Sequence, residues 1–369
     1  MQEHSLQNKK EEVFRLQKVS IALLQKLISI PSFSGNENNS ASYIYECLLS
    51  QNIQVQRHKN NIWARNKYFD KNKDTILLNS HHDTVQPNNG YSRDPFDPLI
   101  DGGLLFGLGS CDAGGALVSL LAAFLYFYPK VLNYNLVFAG TAEEETSGIN
   151  GLESLLTNST FTDSLSGAVS AIVGEPTSMQ MAVAEKGLLV LDCTAFGKAG
   201  HAAREEGENA IYKVMQDIHW FRTFCFPKVS EFLGPVKMSV TSIESPNRLH
   251  NVVPSECRYI VDVRINEMYS LDEVVNIIQS NISGKVVPRS LRLKSSIISM
   301  EHPLVKAGTS IGLKCYGSPT TSDKALMTFP ALKIGPGDSS RSHTSNEFIK
   351  LDEIINGILT YIDLLNKLL

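Results

Sequence analysis

The stretch Leu77 to Pro87, LLNSHHDTVQP, runs an apolar segment straight into two histidines and an aspartate. Burying such groups unpaired costs on the order of several kcal/mol. A divalent cation removes that cost, because imidazole and carboxylate are the donors that Zn²⁺ and similar ions take. On an extended strand His81 and Asp83 share a face, while His82 points away. An aspartate on the face of a ligating histidine can accept that ring's second N–H and so fix its tautomer.

Donors of the same type follow other apolar runs. Tyr134–Ala139 leads into Glu143, Glu144 and Glu145, Ala168–Val173 leads into Gly174-Glu175-Pro176-Thr177, and Ala331–Ile334 leads into GPGDSSRSH, ending at His343. A further segment, GLGSCDAGG, sets Asp112 just before a glycine pair and a long apolar helix. In open parallel sheets, ligands bind beyond the carboxyl ends of the strands. Each signal alone has a plainer meaning. A strand-end histidine can be a hydrogen-bonded structural residue, a glutamate run a solvated loop, and GEPT a turn set by its proline. GLGSCDAGG resembles a phosphate loop but lacks the lysine. In combination, three carboxylates and two histidines saturate two tetrahedral ions only if one carboxylate bridges them, and Asp112 in its glycine-flanked turn is the natural bridge. Three carboxylates and a hydroxide balance two dications, the charge pattern of a two-metal hydrolase.

The elements that must carry these residues read as an α/β domain. Strands are expected at Thr75–Asn79, Tyr134–Ala139, Ala168–Val173 and Ala331–Ile334, and helices at 6–29, Gly114–Tyr128, Asn150–Leu156 and Leu351–Leu369, which makes a largely parallel sheet flanked by helices. The middle of the chain changes rhythm. Gly187–Phe196 reads as a strand, Glu208–Cys225 as a helix, Val236–Ile243 and Cys257–Ile265 as strands, Ser270–Asn281 as a helix and Ser290–Ser299 as a last strand. Ser270 with Glu273 is a capping-box signature. The order is that of a split βαβ, ferredoxin-like βαββαβ unit. The expected division is therefore 1–184 with 297–369 as one domain and 185–296 as an insertion.

Composition narrows the function further. A chain of 369 residues is long enough for two domains, and 43% hydrophobic with 20% charged residues describes a globular protein. A formal net charge of −4 without a dense basic block argues against nucleic acid or an anionic membrane as partner. The 6 cysteines form no CxxC pair, which suits free thiols in a reducing compartment. The N-terminal segment mixes Lys, Glu and Gln with its apolar positions, unlike a secretory signal. The apolar run Ala116 to Tyr128 is shorter than the ~20 residues needed to cross a bilayer, so it reads as a buried helix and the protein as cytoplasmic.

SHHDTV, GSCDAGG, AEEETSG, GEPT and SHTSNE, in that order and spacing, resemble the co-catalytic metallopeptidase family that contains acetylornithine deacetylase, succinyl-diaminopimelate desuccinylase, aminoacylase and carboxypeptidase G. The resemblance spans nearly the whole chain and is nearest to the branch acting on acylated ornithine or citrulline. It implies that His81 and Glu175 hold one zinc ion, Glu145 and His343 the other, and Asp112 both, with Co²⁺ or Mn²⁺ as substitutes. It further implies Asp83 as support for His81 and Glu144 as general base. GKAGHAA resembles the family's histidine motif, which implies that His201 reaches the active site of a partner subunit in a homodimer and polarises the scissile carbonyl. NVVP and DVR imply Asn251 and Arg264 as binders of a substrate carboxylate, a task that suits arginine. The sequence departs from the family in having Gly114 where lysine is common and His82 where a smaller residue is common, two changes expected to reshape the substrate pocket.

Plainer readings stand beside these. His201 in a glycine-rich turn can be a surface residue, Arg264 a solvated strand-end charge and NVVP an ordinary strand with a proline stop. Cys111 lacks a histidine partner and reads as a small buried residue. TTSDKALM, from Thr320 to Met327, can line the substrate site, with Ser322 as a helix N-cap the plainer reading. The function implied is hydrolysis of the amide bond of an N-acyl amino acid, an acetyl- or succinyl-ornithine or citrulline of arginine biosynthesis. The alternatives are a dipeptidase or glutamate-releasing carboxypeptidase of the same chemistry, or a metal-free scaffold that kept the fold.

Overall fold

The computed structural model describes residues 2–204 and 206–369, with side chains from residue 11 onward. Two compact units divide the chain: Met1–Val183, Ile298–Tyr316 and Ser322–Leu369 form the first, and Ala184–Ile297 with Gly317–Thr321 the second.

The first unit opens with α1 (Gln2–Ile28) and α2 (Asn38–Leu49), followed by the hairpin β1 (Val55–His58) and β2 (Asn61–Arg65), then β3 (Thr75–His81). After α3 (Gly115–Phe127) come β4 (Asn135–Thr141), β5 (Val169–Val173) and β6 (Met181–Glu185). Every residue of β3 and β4 is buried, as expected of central parallel strands covered on both faces. β3 lies parallel to β4 on one side, pairing Thr75 with Asn135 through His81 with Thr141, and parallel to β5 on the other. The expected strand and helix classes of this unit are thus found, with ends shifted by a few residues. The Ser110–Phe127 stretch is apolar and long enough to cross a membrane by composition, but it is 89% buried in the protein interior.

The second unit begins with β7 (Gly187–Phe196), followed by α4 (Ala210–Thr223), β8 (Lys237–Glu244), β9 (Glu256–Ile265), α5 (Leu271–Gln279) and β10 (Lys285–Pro288). Its antiparallel sheet runs β8-β9-β7-β10, the split-βαβ arrangement. Alternate residues of β7, from Leu189 to Ala195, face a core shared with Tyr259, Val261, Val214, Phe221, Val274 and Ile278. Ser270 Oγ accepts the Glu273 amide at 3.1 Å and the Glu273 carboxylate accepts the Ser270 amide at 2.8 Å, completing the capping box that starts α5.

The expected last strand at Ser290–Ser299 is a correction. The sheet is closed by Lys285–Pro288, and of the later residues only Ser296–Ile297 pair, with Ala184 and Glu185. Pro288 ends the ladder after Val286 and Val287, and the apolar alternation that follows belongs to connecting chain, with Leu293 buried without a strand.

The chain returns to the first unit through β11 (Ala331–Lys333), parallel to β5, and closes with α6 (Leu351–Asn366), which packs with α1 and α3 on one face of the sheet. The first unit's sheet order is β1-β2-β4-β3-β5-β11-β6. The carboxyl ends of its parallel strands β3, β4, β5 and β11 therefore point the same way, and the candidate residues sit at that edge.

Candidate metal centre

His81 closes β3 and is 1% exposed. Its Nδ1 lies 3.1 Å from the Asp83 carbonyl and 3.4 Å from the Asp83 carboxylate. Its Nε2 therefore faces the other way, 3.4 Å from Asp112 Oδ1 and 3.8 Å from both Glu144 and Glu175. Nε2 is buried and has no hydrogen-bond partner. A buried, unpartnered nitrogen aimed at three carboxyl groups is what a cation site requires. His82 turns to the opposite side, with Nδ1 3.0 Å from Ser40 Oγ and Nε2 2.9 Å from the Asn60 carbonyl.

Asp112 sits in the irregular turn Ser110–Gly114 that feeds α3. Its Oδ1 faces His81, and its Oδ2 lies 3.7 Å from His343 Nε2. His343 Nε2 is also 2.9 Å from Glu145 Oε2. Two donor triads result, His81-Asp112-Glu175 and Asp112-Glu145-His343, each with donor atoms within 4.8 Å of one another. They share one residue, Asp112, which offers one oxygen to each. The donor set and the orphaned His81 nitrogen fit a pair of divalent ions.

Backbone contacts hold the donors. The Glu144 and Glu145 amides donate to Asp83 Oδ1 and Oδ2, both at 3.1 Å, and Ser34 Oγ donates to Oδ2 at 2.7 Å. Glu143, at φ +56°, uses its carboxylate to accept from Asn150 N and Nδ2, while its own amide donates to the fully buried Glu37 at 3.2 Å. His343, at φ +59°, follows a turn in which Arg341 grips Glu353 of α6 through two hydrogen bonds of 2.7 and 3.0 Å.

Crowded acids and bases perturb one another. Burial pushes Glu144 well above the carboxylate range, with Glu175, Asp323 and Glu145 adding and His81 opposing. Glu175 is pushed up to about 8, again first by burial. Burial would lower the His81 imidazole, but Glu144, Asp112, Asp83 and Glu175 outweigh it and raise it well above its ordinary value. The hydrogen bond to Glu145 carries His343 up to about 9.

The two departures from the family, Gly114 and His82, line one small cavity together with Asp83 and Asp112. A Cβ on Gly114 would run into the Gly109 carbonyl and Leu24 of α1, so this position is closed by backbone and by helix packing. His82 is a bracket between Ser40 and Asn60. Cys111 is buried and donates to the Asp338 carbonyl at 3.4 Å, and burial raises its thiol far above the usual value. Ser322 caps the short helix Asp323–Leu326.

His201, Asn251 and Arg264 belong to the second unit. His201 is exposed on a two-residue strand beside Val252–Val253, and its Nδ1 accepts the Ala203 amide at 3.1 Å. Asn251 is exposed, and its carbonyl accepts the Ala202 amide at 3.0 Å. Arg264 forms a two-bond pair with Asp262, at 2.8 and 3.0 Å.

Sequence reasoning missed Glu37, Asp323 and Glu347 as parts of the centre. Asp323 accepts from Asn79 and Thr141 at the ends of β3 and β4, at 3.0 and 2.8 Å. Glu347 accepts amides of the Asp112 turn. Glu347 closes the SHTSNE motif, so a signal existed; Glu37 lies in a polar run that gives none.

An α/β unit with paired donor triads at its strand ends, interrupted by a ferredoxin-like unit, defines a metal-dependent hydrolase. Residues 77–367 match Peptidase family M20/M25/M40, and the chain belongs to that family. It is 29% identical over 296 residues to the succinyl-diaminopimelate desuccinylase of Blochmanniella pennsylvanica, covering 75% of this chain and 76% of the relative. It is 28% identical to the [LysW]-lysine/[LysW]-ornithine hydrolase of Sulfurisphaera tokodaii over 94% of each chain. The M20 metallo-carboxypeptidase Sso-CP2 of Sulfolobus solfataricus shares the fold, with a TM-score of 0.75 and 18% identity over 95% of this chain and 98% of that one.

Proposed function

We propose that this protein hydrolyses the amide bond of an N-acyl amino acid, with acetyl- or succinyl-ornithine or citrulline of arginine biosynthesis as the preferred substrates. The observation that carries the reading is the placement of Asp112, one oxygen toward each triad, next to a carboxylate that belongs to neither triad, Glu144. The names of the two relatives support the substrate class, since both describe hydrolysis that yields diaminopimelate, lysine or ornithine.

His81, Glu175, Glu145, His343 and Asp112 would hold the ions, zinc by the donor set, with cobalt or manganese as substitutes. When bound, such ions acidify a water molecule and draw charge from the carbonyl oxygen. Glu144 takes the proton of the attacking water and returns it to the leaving amine. Asp83 holds the His81 ring through Nδ1 and fixes the amides of Glu144 and Glu145, so one side chain orients a ligand and the base. His201 polarises the scissile carbonyl across a homodimer, and Asn251 and Arg264 receive a substrate carboxylate. The enzyme is read as cytoplasmic.

A panel of N-acetylornithine, N-acetylcitrulline, N-succinyl-ornithine, N-succinyl-diaminopimelate and dipeptides, assayed with zinc or cobalt present, tests the reading. An N-acyl diamino acid or N-acylcitrulline should give the highest kcat/KM. A dipeptide leading by tenfold or more would assign the protein to the peptidases instead.

A further inference from the structure

We infer that Glu347 is a positioning residue for the metal pair: its carboxylate fixes the turn that carries Asp112 relative to the segment that carries His343. The inference rests on the two-metal reading of the site.

Glu347 is 2% exposed and lies four positions after His343 in the same segment. Its Oε1 accepts the Cys111 amide at 2.8 Å and the Asp112 amide at 2.9 Å, and its Oε2 accepts the Gly109 amide at 3.3 Å. Its backbone carbonyl accepts the Gly107 amide at 3.0 Å. The turn cannot satisfy these amides itself. Asp112 stands at φ −113°, ψ 100° and Ala113 at φ −116°, ψ 30°, outside helical geometry, and Gly109 is left-handed at φ +76°. Amide groups turned inward in this way form an anion-accepting nest, and a buried carboxylate fills it. Left without an acceptor, each buried amide would be an unpaired polar group in the interior.

On its other side Glu347 is rigidly held. The next residues, Phe348–Lys350, pair antiparallel with Leu104–Phe106, and Asn88 Nδ2 donates to the His343 carbonyl at 3.1 Å. Asp112, the only residue common to both triads, is therefore fastened from behind by the segment that presents His343. Because Glu347 lies behind the ligand it contacts no substrate, and its effect passes through the separation of Asp112 from His343 and Glu145. Contacts of this kind, once removed from the ion, are worth roughly 10–100-fold in metal affinity.

In Glu347→Gln the side chain keeps its shape but presents an NH₂ group to at least one amide N–H. Zinc titrations of the metal-free wild type and variant, with a competing chelator, should show at least one ion bound tenfold or more weakly in the variant. The cobalt absorption spectrum should change with it, kcat should fall with KM nearly unchanged, and the metal-free melting temperatures should stay within a few degrees. A variant with wild-type zinc affinity and cobalt spectrum would overturn the inference and leave the two-metal reading intact. A wild type that takes up no zinc would sink that reading and the inference together. If the variant does not fold, hydrogen exchange on the wild-type holoenzyme decides: protection of the Cys111 and Asp112 amides equal to that of α3 supports the clamp, and loop-like exchange refutes it.

Discussion

Glu144 differs from its neighbour Glu145 in a way that separates two kinds of work. Glu145 lies 2.9 Å from His343, whereas Glu144 stands 3.8 Å from His81 and belongs to neither donor triad. Glu144→Ala should keep the zinc content of the wild type, measured by elemental analysis, while kcat falls by roughly 10²–10⁴-fold or more. Wild-type turnover in that variant would remove Glu144 from proton transfer. The candidate donors were legible in the sequence only in combination: one histidine or carboxylate after an apolar run has plainer uses, but several such strand ends in one domain share one edge of the sheet. Glu37 was not legible as part of the centre, because it accepts a backbone amide far away in the chain and nothing local marks it for that task, and Glu347 was marked only by its place at the end of SHTSNE.

Elements carry the site through their ends. The four expected parallel strands are the centre of the first unit's sheet, and their continuous apolar runs made them easy to find. The hairpin β1–β2 and helix α2 escaped notice because they mix polar and apolar residues without a strong period, and their placement depends on long-range pairing such as Ile62 with Gly140. The misplaced last strand of the insertion has the same origin: alternation in 290–299 imitates a strand where Pro288 has already ended one. Gly114 shows what the start of α3 demands. Gly114→Ala brings a methyl against the Gly109 carbonyl, and overpacking of that kind costs about 1–3 kcal/mol. The melting temperature should drop by roughly 2–10 °C. An unchanged melting temperature would mean that the turn before α3 yields easily, against the tight packing seen here.

At the scale of the whole molecule, the crowded centre ties stability to pH and metal. Glu175 at about 8 stands far above the ~4.3 of an unfolded chain, so its contribution is full below the unfolded value and is lost as pH rises through 8. His343 at about 9, and His81 raised well above its ordinary value, act in the same direction, since each contributes fully below about 6.5 and loses that contribution as pH rises through its folded value. Metal-free protein should therefore melt progressively lower from pH 6 to pH 9. Zinc prefers the deprotonated donors, so the gap between zinc-loaded and metal-free melting temperatures should widen over the same range. Calorimetry at fixed ionic strength checks both, and a gap that is constant with pH would separate these shifts from metal binding.

The most direct test is a count of ions. Elemental analysis of zinc-reconstituted, desalted protein should give close to two divalent ions per chain, and Asp112→Ala should release both, because that side chain belongs to both triads. A wild type that holds one ion or none, or an Asp112→Ala variant that still holds two, would contradict the shared-carboxylate centre on which the proposed hydrolysis depends.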